Sequence, residues 1–234
     1  MARNIISGNE RYGIYVSQAD DILIAGNYIG VARDGVTPLP NDDHGIVVYG
    51  SSVDNTISEG NIIAYSGGNG ISIQAHGSLF PELIYIRGNS IHHNADLGID
   101  LGSDGVDTND PGDGDVGENK RQNYPVLTAV ANTLTVTGKL NSEANLQYSV
   151  DLYRNDECHA SGYGEGQEYL LTKVVTTDGN GDGEFTADVT GVPDGAVITA
   201  VATDPDGNTS EFSACVTVEI ETSEYFLYLP SVLK

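Results

Sequence analysis

The sequence predicts an all-β chain, in which a short right-handed parallel β-helix is followed by a seven-stranded β-sandwich. Two short signatures alternate four times through the first hundred residues, which is the mark of stacked coils. From Val126 onward the pattern changes to short alternating strands separated by turns. The composition agrees, because the chain is rich in Gly, Asp, Asn and Thr and no long stretch has helical apolar spacing. The expected divisions are a β-helix over 1–124 (about four coils and an acidic cap loop), a sandwich over 125–221 and an apolar tail over 222–234.

The first signature is Gly-Asn after an aliphatic strand, at Gly8-Asn9, Gly26-Asn27, Gly60-Asn61 and Gly88-Asn89. The second is Gly-Ile-x-aliphatic, at Gly13-Ile14, Gly45-Ile46, Gly70-Ile71 and Gly98-Ile99, recurring at intervals of 32, 25 and 28 residues. Each strand holds about two inward aliphatics, too few to fold alone, and stacking coil on coil buries them in one column. Gly permits the tight turn between strands. Asn9, Asn27, Asn61 and Asn89 are expected to form a ladder of amide hydrogen bonds along that turn. The competing reading is a series of β-hairpins with Gly-Asn turns, but hairpins give no reason for a second fixed signature to alternate with the first.

The stretch Gly26-Asn27-Tyr28-Ile29-Gly30, then Gly35-Val36-Thr37-Pro38-Leu39-Pro40-Asn41, then Gly45-Ile46-Val47-Val48 resembles the coils of bacterial right-handed parallel β-helix repeat proteins. The resemblance covers about residues 3 to 125. Family members carry many coils and an N-terminal cap, whereas this sequence opens inside a coil. An open coil end implies a cover of preceding sequence, a partner or another copy.

Residues 100–119 hold seven carboxylates and no basic residue. Calcium takes roughly six to eight oxygens, which Gly-rich loops allow to converge. The candidate ligands are Asp104, Asp107, Asn109, Asp110, Asp113 and Asp115; the competing reading is a solvated acidic linker. The stretch also resembles the last-coil motif of the same family, leading into Gln122-Asn123-Tyr124-Pro125-Val126-Leu127, which implies a C-terminal cap and a joint to the next part. Two other Asp/Gly clusters, Asp178–Gly183 and Asp204–Asn208, read as turns, the first as a hairpin.

Seven strands are expected near 126–131, 133–140, 146–154, 168–177, 184–190, 196–204 and 211–220, a number that suggests an immunoglobulin-like sandwich. Leu146, Tyr148, Val150 and Leu152 mark one buried face, and Phe212, Ala214, Val216 and Val218 another. Cys158 and Cys215 are expected to form a disulfide that pins a Gly-rich loop to the outside of the last strand, the alternative being two free thiols. Cys158–Gly166 and Thr203–Cys215 also resemble the C-terminal domain of the β-helix family.

A net charge of −24 argues against nucleic acid and anionic membranes as partners. No segment has the length and apolarity of a membrane span, and the start carries no apolar signal core, so a secreted-looking body suggests a fragment of a longer precursor. Catalysis is not predicted: Arg3, Arg11, Arg33 and Arg87 do not recur at one strand position, and His44, His76, His92, His93 and His159 read as solvated loop residues. No catalytic residue is assigned. The leading expectation is a non-catalytic extracellular or cell-surface structural or adhesive module stabilised by calcium, with a glycan or surface partner. Alternatives are polysaccharide binding or degradation, and a filament subunit that associates through its open coil end or its apolar tail. That tail is expected to dock as a strand.

Overall fold

A computed structural model describes residues 3–58 and 60–219; the tail proposed to dock lies outside them. The first coil contributes β1 (Ile5–Ile6), β2 (Ile14–Ser17) and β3 (Leu23–Ala25). The second contributes β4 (Tyr28–Ile29), β5 (Ile46–Tyr49) and β6 (Thr56–Ser58), and the third β7 (Ile62–Ala64), β8 (Ile71–Gln74) and β9 (Tyr85–Arg87). A fourth begins with β10 (Ser90–His92) and β11 (Ile99–Leu101). These strands form three parallel sheets, β1-β4-β7-β10, β2-β5-β8-β11 and β3-β6-β9, a β-solenoid of about three turns.

Register explains the repeat. Ile6, Ile29, Ile63 and Ile91 are successive partners in one sheet, Ile14, Ile46, Ile71 and Ile99 in the second, and Ile24, Ile57 and Ile86 in the third. Three files of isoleucine thus meet in one apolar cluster. The two glycine signatures serve different needs. Gly60 and Gly88 have φ of 79° and 65°, with open space around a notional side chain, so they are required by backbone conformation. Gly45 and Gly70 are required by space: a Cβ on either would lie 2.6–2.7 Å from the carbonyl oxygen of the equivalent glycine one coil on.

The amide ladder runs through Asn27, Asn61 and Asn89, but its first rung is Asn4. Asn4 Nδ2 donates to Asn27 Oδ1 (2.8 Å), Asn27 Nδ2 to Asn61 Oδ1 (3.2 Å) and Asn61 Nδ2 to Asn89 Oδ1 (2.8 Å). Asn9 pairs instead with Asn41 at another corner (2.7 Å). The reason is register: Ile5 pairs with Tyr28, which puts Asn4 beside Asn27 and places Gly8-Asn9 after the strand.

The second part holds β12 (Val126–Val130), β13 (Thr135–Asn141), β14 (Gln147–Asn155), β15 (Glu168–Thr176), β16 (Asp182–Asp188), β17 (Ala196–Thr203) and β18 (Val216–Val218). They form two antiparallel sheets, β12-β13-β16 and β15-β14-β17-β18, whose apolar residues share one cluster. Asp178–Gly183 therefore does not close a hairpin: β15 and β16 lie in different sheets, and the turn carries the chain between them. The last strand is shorter than expected. Residues 208–215 leave the sheet, Ala214 is exposed, and Phe212 packs into the isoleucine cluster of the β-helix.

Candidate functional site at the junction

A parallel coil ends in three rows of unpaired backbone groups, which need partners. Here the second part supplies them, together with Asn119 of the junction. In the first sheet, Ile91 and Gly166 exchange two backbone bonds (2.8 and 2.9 Å). In the second, the Leu101 N–H donates to Glu211 Oε1 (3.0 Å). In the third, the N–H groups of Leu83, Ile84 and Ile86 donate to the side chains of Asn208, Asn119 and Thr209 (2.7–3.0 Å). Phe212 closes the apolar column between these caps, its ring 5.6 Å from that of Tyr153 and nearly perpendicular to it. On the outside, Arg87 of β9 forms a bidentate pair with buried Asp151 of β14 (2.5 Å on each side), which raises the guanidinium pKa.

Asn119 reaches its place through an unusual backbone. Asn119, Lys120 and Arg121 have φ of 46°, 55° and 48°, a left-handed run that costs non-glycine residues about 1–2 kcal/mol each. The run is held by charge and hydrogen bonds. Arg121 pairs with Asp107, Asp104 and Glu118, while Lys120 lies 3.4–3.9 Å from Asp206, Asp204 and Glu143. Glu118 Oε1 accepts the Ala75 N–H (2.9 Å).

The six residues expected to bind calcium divide into two groups. Asp104 and Asp107 belong to Arg121, and Asn109 is occupied by the backbone of Tyr124, donating to its carbonyl and accepting its N–H. Asp110, Asp113 and Asp115 come together, with one oxygen from each lying within 4.8 Å of the others. Asp110 Oδ1 is buried without a hydrogen-bond partner. Burial pushes Asp113 up to about 7, against the pull of its bonds from Ser142 and the Asn123 N–H. The acidic loop thus lies beside the cap, and the sealing groups come from residues 118–119, 165–166 and 208–212.

The Gly164-Glu165-Gly166 motif serves the same joint. A Cβ on Gly164 would lie 2.3 Å from Thr199, and one on Gly166 2.7 Å from the Phe212 ring. Glu165, held between them, accepts the N–H groups of His93 (2.6 Å) and Asn94 (2.9 Å). These contacts form one wall of a cavity of about 440 Å³ that also meets Tyr65, His92, His93, Glu157 and His159. His92 and His93 are not independent solvated loop residues. Their Nδ1 atoms lie 2.8 Å apart, and burial together with His93 lowers the His92 pKa to about 4. A left-handed φ of 57° at His93 allows two consecutive rings to meet, a feature that a sequence pattern does not carry.

Cys158 and Cys215 form a disulfide that fastens the Gly-rich loop beside β18, where the Cys215 N–H also bonds to the Gly162 carbonyl (3.1 Å). Such a bond belongs to an oxidising, extracellular or cell-surface setting. Among the described residues no helix is long and apolar enough to cross a membrane. Residues 1–95 match the family described as "Periplasmic copper-binding protein (NosD)". The likeness covers the parallel coils through β10 and ends before the acidic junction and the second part.

Proposed function

We propose that the chain is a non-catalytic structural or adhesive module of an extracellular or cell-surface protein, a rigid spacer in which the second part acts as a built-in cap. The observation that carries this reading is the set of three sealed sheet edges, answered by Asn119 of the junction and by residues 165–166 and 208–212 of the second part. The strand order supports reading that part as an immunoglobulin-like sandwich. Its first, second and fifth strands pair, as do its fourth, third, sixth and seventh; the constant immunoglobulin arrangement differs in placing the fourth strand on the other sheet. The seal also bears on the filament reading, because the β10–β11 end is not free to accept another copy in a head-to-tail stack.

Calcium at Asp110, Asp113 and Asp115 is the stabilising ion in this proposal, since all three offer hard oxygen donors and Asp110 Oδ1 is otherwise unpaired. Copper, in the name of the matched family, suits a different donor set. Cys158 and Cys215 are consumed by the disulfide, and the carboxylate trio favours hard cations, which leaves imidazole as the donor with which copper fits this chain.

Scanning calorimetry with and without calcium tests the spacer. A capped spacer unfolds in a single transition whose midpoint rises with calcium, by an amount equivalent to about 2.7 kcal/mol at a hundredfold excess over Kd. In Asp110→Asn and Asp113→Asn that rise disappears. Two well-separated transitions would refute the rigid spacer. A second reading, glycan binding, is favoured by the row formed by Tyr12, just before β2, with Tyr15 of β2 and Tyr49 of β5, successive ring centroids being 5.6 and 6.0 Å apart. A glycan array probed with the wild type and with Tyr15→Ala, with and without calcium, separates it from a purely structural role.

A further inference from the structure

We propose that a cavity of about 390 Å³ at a corner of the coils holds the end ring of a neutral saccharide chain, whose preceding rings lie along Tyr12 and Tyr15. The assignment rests on the glycan reading of the tyrosine row and adds to it an end subsite and a charge class. Three segments meet to form the cavity. His44, Asp96 and Asp100 come from the second and fourth coils, Ser103 from the acidic loop, and His159 and Ser161 from the loop fastened by the disulfide. Ligand pockets of roughly 300–1,000 Å³ are usual where separate parts of a chain meet.

The floor of the cavity is a fixed polar network. Asp100 of β11 is in register with Ser72 of β8, and both face outward because Ile99 and Leu101 turn into the apolar column. Outward positions of a coil are ordinarily wet, yet Ser72 and Asp100 are 0 % and 5 % exposed. Asp100 accepts Asn69 Nδ2 (2.7 Å) and the Ser103 N–H (3.0 Å), and the hydroxyl oxygens of Ser72 and Ser103 lie 2.6 Å apart. These bonds hold the floor in shape and leave recognition to the walls. His44 Nδ1 accepts the Asn69 N–H (2.9 Å), and His159 Nδ1 accepts the Ser161 N–H (3.2 Å). A neutral imidazole that accepts at Nδ1 carries its proton at Nε2, so both rings are donors there. Asp96 is exposed, and among the described residues no donor meets its carboxylate. A sugar hydroxyl both donates and accepts, so two N–H donors and an open carboxylate suit neighbouring hydroxyls of one ring. Among the described residues no Lys or Arg lines the cavity, and Asp43 lies 3.4 Å from His44 Nε2, so a uronate, sulfate or phosphate group would be repelled.

Register leads the tyrosine row into this cavity. The residue before the glycine of the Gly-Ile signature is Tyr12, His44, Asn69 and Leu97 in successive coils, and each such glycine N–H bonds to the equivalent residue one coil on. The rings of Tyr12 and His44 stack with centroids 5.8 Å apart and planes within 3°, and Tyr15 stacks on Tyr12. A saccharide lying along the stack of coils thus passes from Tyr15, which is 51 % exposed, over Tyr12 and ends against His44 and Asp96.

The test is isothermal titration calorimetry of the full chain with cellobiose, mannobiose and galactobiose, with the corresponding neutral hexaoses, and with hexagalacturonate. At least one neutral hexaose is expected to bind at millimolar concentration or tighter, and hexagalacturonate to bind about tenfold more weakly or not at all. Asp96→Ala is expected to lower affinity for that hexaose and for its disaccharide by about tenfold or more, the effect of losing a charged hydrogen-bond partner. Tyr15→Ala is expected to weaken only the hexaose, towards the level of the disaccharide. Both side chains are exposed, and circular dichroism checks that the variants stay folded. If Tyr15→Ala removes hexaose binding while Asp96→Ala leaves it unchanged, the tyrosine row still binds glycan and the cavity assignment is overturned. Hexagalacturonate binding as tightly as the neutral hexaoses overturns it as well. If no neutral hexaose binds the folded wild-type chain, the cavity assignment and the glycan reading fall together.

Discussion

Replacing Phe212 by alanine removes the side chain that closes the isoleucine column while leaving the backbone caps in place. Phe212 is 3 % exposed, packs edge-on against Tyr153, and lies close enough to Gly98 and Gly166 that a methyl group on either would strike its ring. Burying a phenylalanine removes about 150–250 Å² from water. Losing most of that area at about 25 cal/mol per Å², with the cavity left behind, gives a cost of about 3–5 kcal/mol. Neighbours cannot readily collapse into the space, because they are rungs of a regular stack. The assay is equilibrium urea unfolding of the intact chain, with Val174→Ala as control. Val174 is 63 % exposed, and its truncation is expected to stay within about 0.5 kcal/mol. A Phe212→Ala loss below about 1 kcal/mol would refute the reasoning, since the ring would then not be a structural plug.

Other outcomes follow from the same structure. Burial raises Glu211 to about 8 from an ordinary 4.5, so the folded chain keeps this proton through a range where the unfolded chain has lost it. Its stabilisation is complete below about 4.5 and is lost as pH rises through about 8; the melting temperature is therefore expected to be higher at pH 5 than at pH 8 in calcium-free buffer, and Glu211→Gln to flatten that slope. Gly45→Ala places a methyl group against backbone and should cost about 1–3 kcal/mol or more, whereas Gly60→Ala meets open space and should cost about 1 kcal/mol, chiefly through its φ, both read by urea titration. Asn61 donates to the Ile24, Ser58 and Asn89 oxygens from full burial, so Asn61→Ala should destabilise by about 2–4 kcal/mol in the same assay. Reducing the Cys158–Cys215 bond should cost about 4 kcal/mol in the chain-entropy treatment, read as a lower thermal midpoint under reductant.

How much of this was legible in the sequence depends on separation along the chain. The coils were, because Gly-Asn and Gly-Ile recur at short intervals and each aliphatic strand repeats its neighbour's chemistry. Strand register was less so: exchanging Asn9 for Asn4 in the ladder required knowing that Ile5 lies beside Tyr28. The cap was hidden. Glu211 meets Leu101 across 110 residues and Thr209 meets Ile86 across 123, so alternation near the end of the chain looked like one more strand. The acidic stretch carried a clear charge signal but not its partition, since Arg121 claims Asp104 and Asp107 while Asp110, Asp113 and Asp115 face one another. The meeting of His92 and His93 rests on one backbone angle, which neither composition nor periodicity encodes.

The account depends most on the claim that the second part seals the end of the coil. Hydrogen exchange resolved to single amides in the intact chain tests it directly, at the Ile91 and Leu101 N–H groups bonded to Gly166 and Glu211. The account predicts protection comparable to that of Ile71 in the interior of the same stack. Exchange at the rate of an open strand edge, with Ile71 still protected, would contradict it.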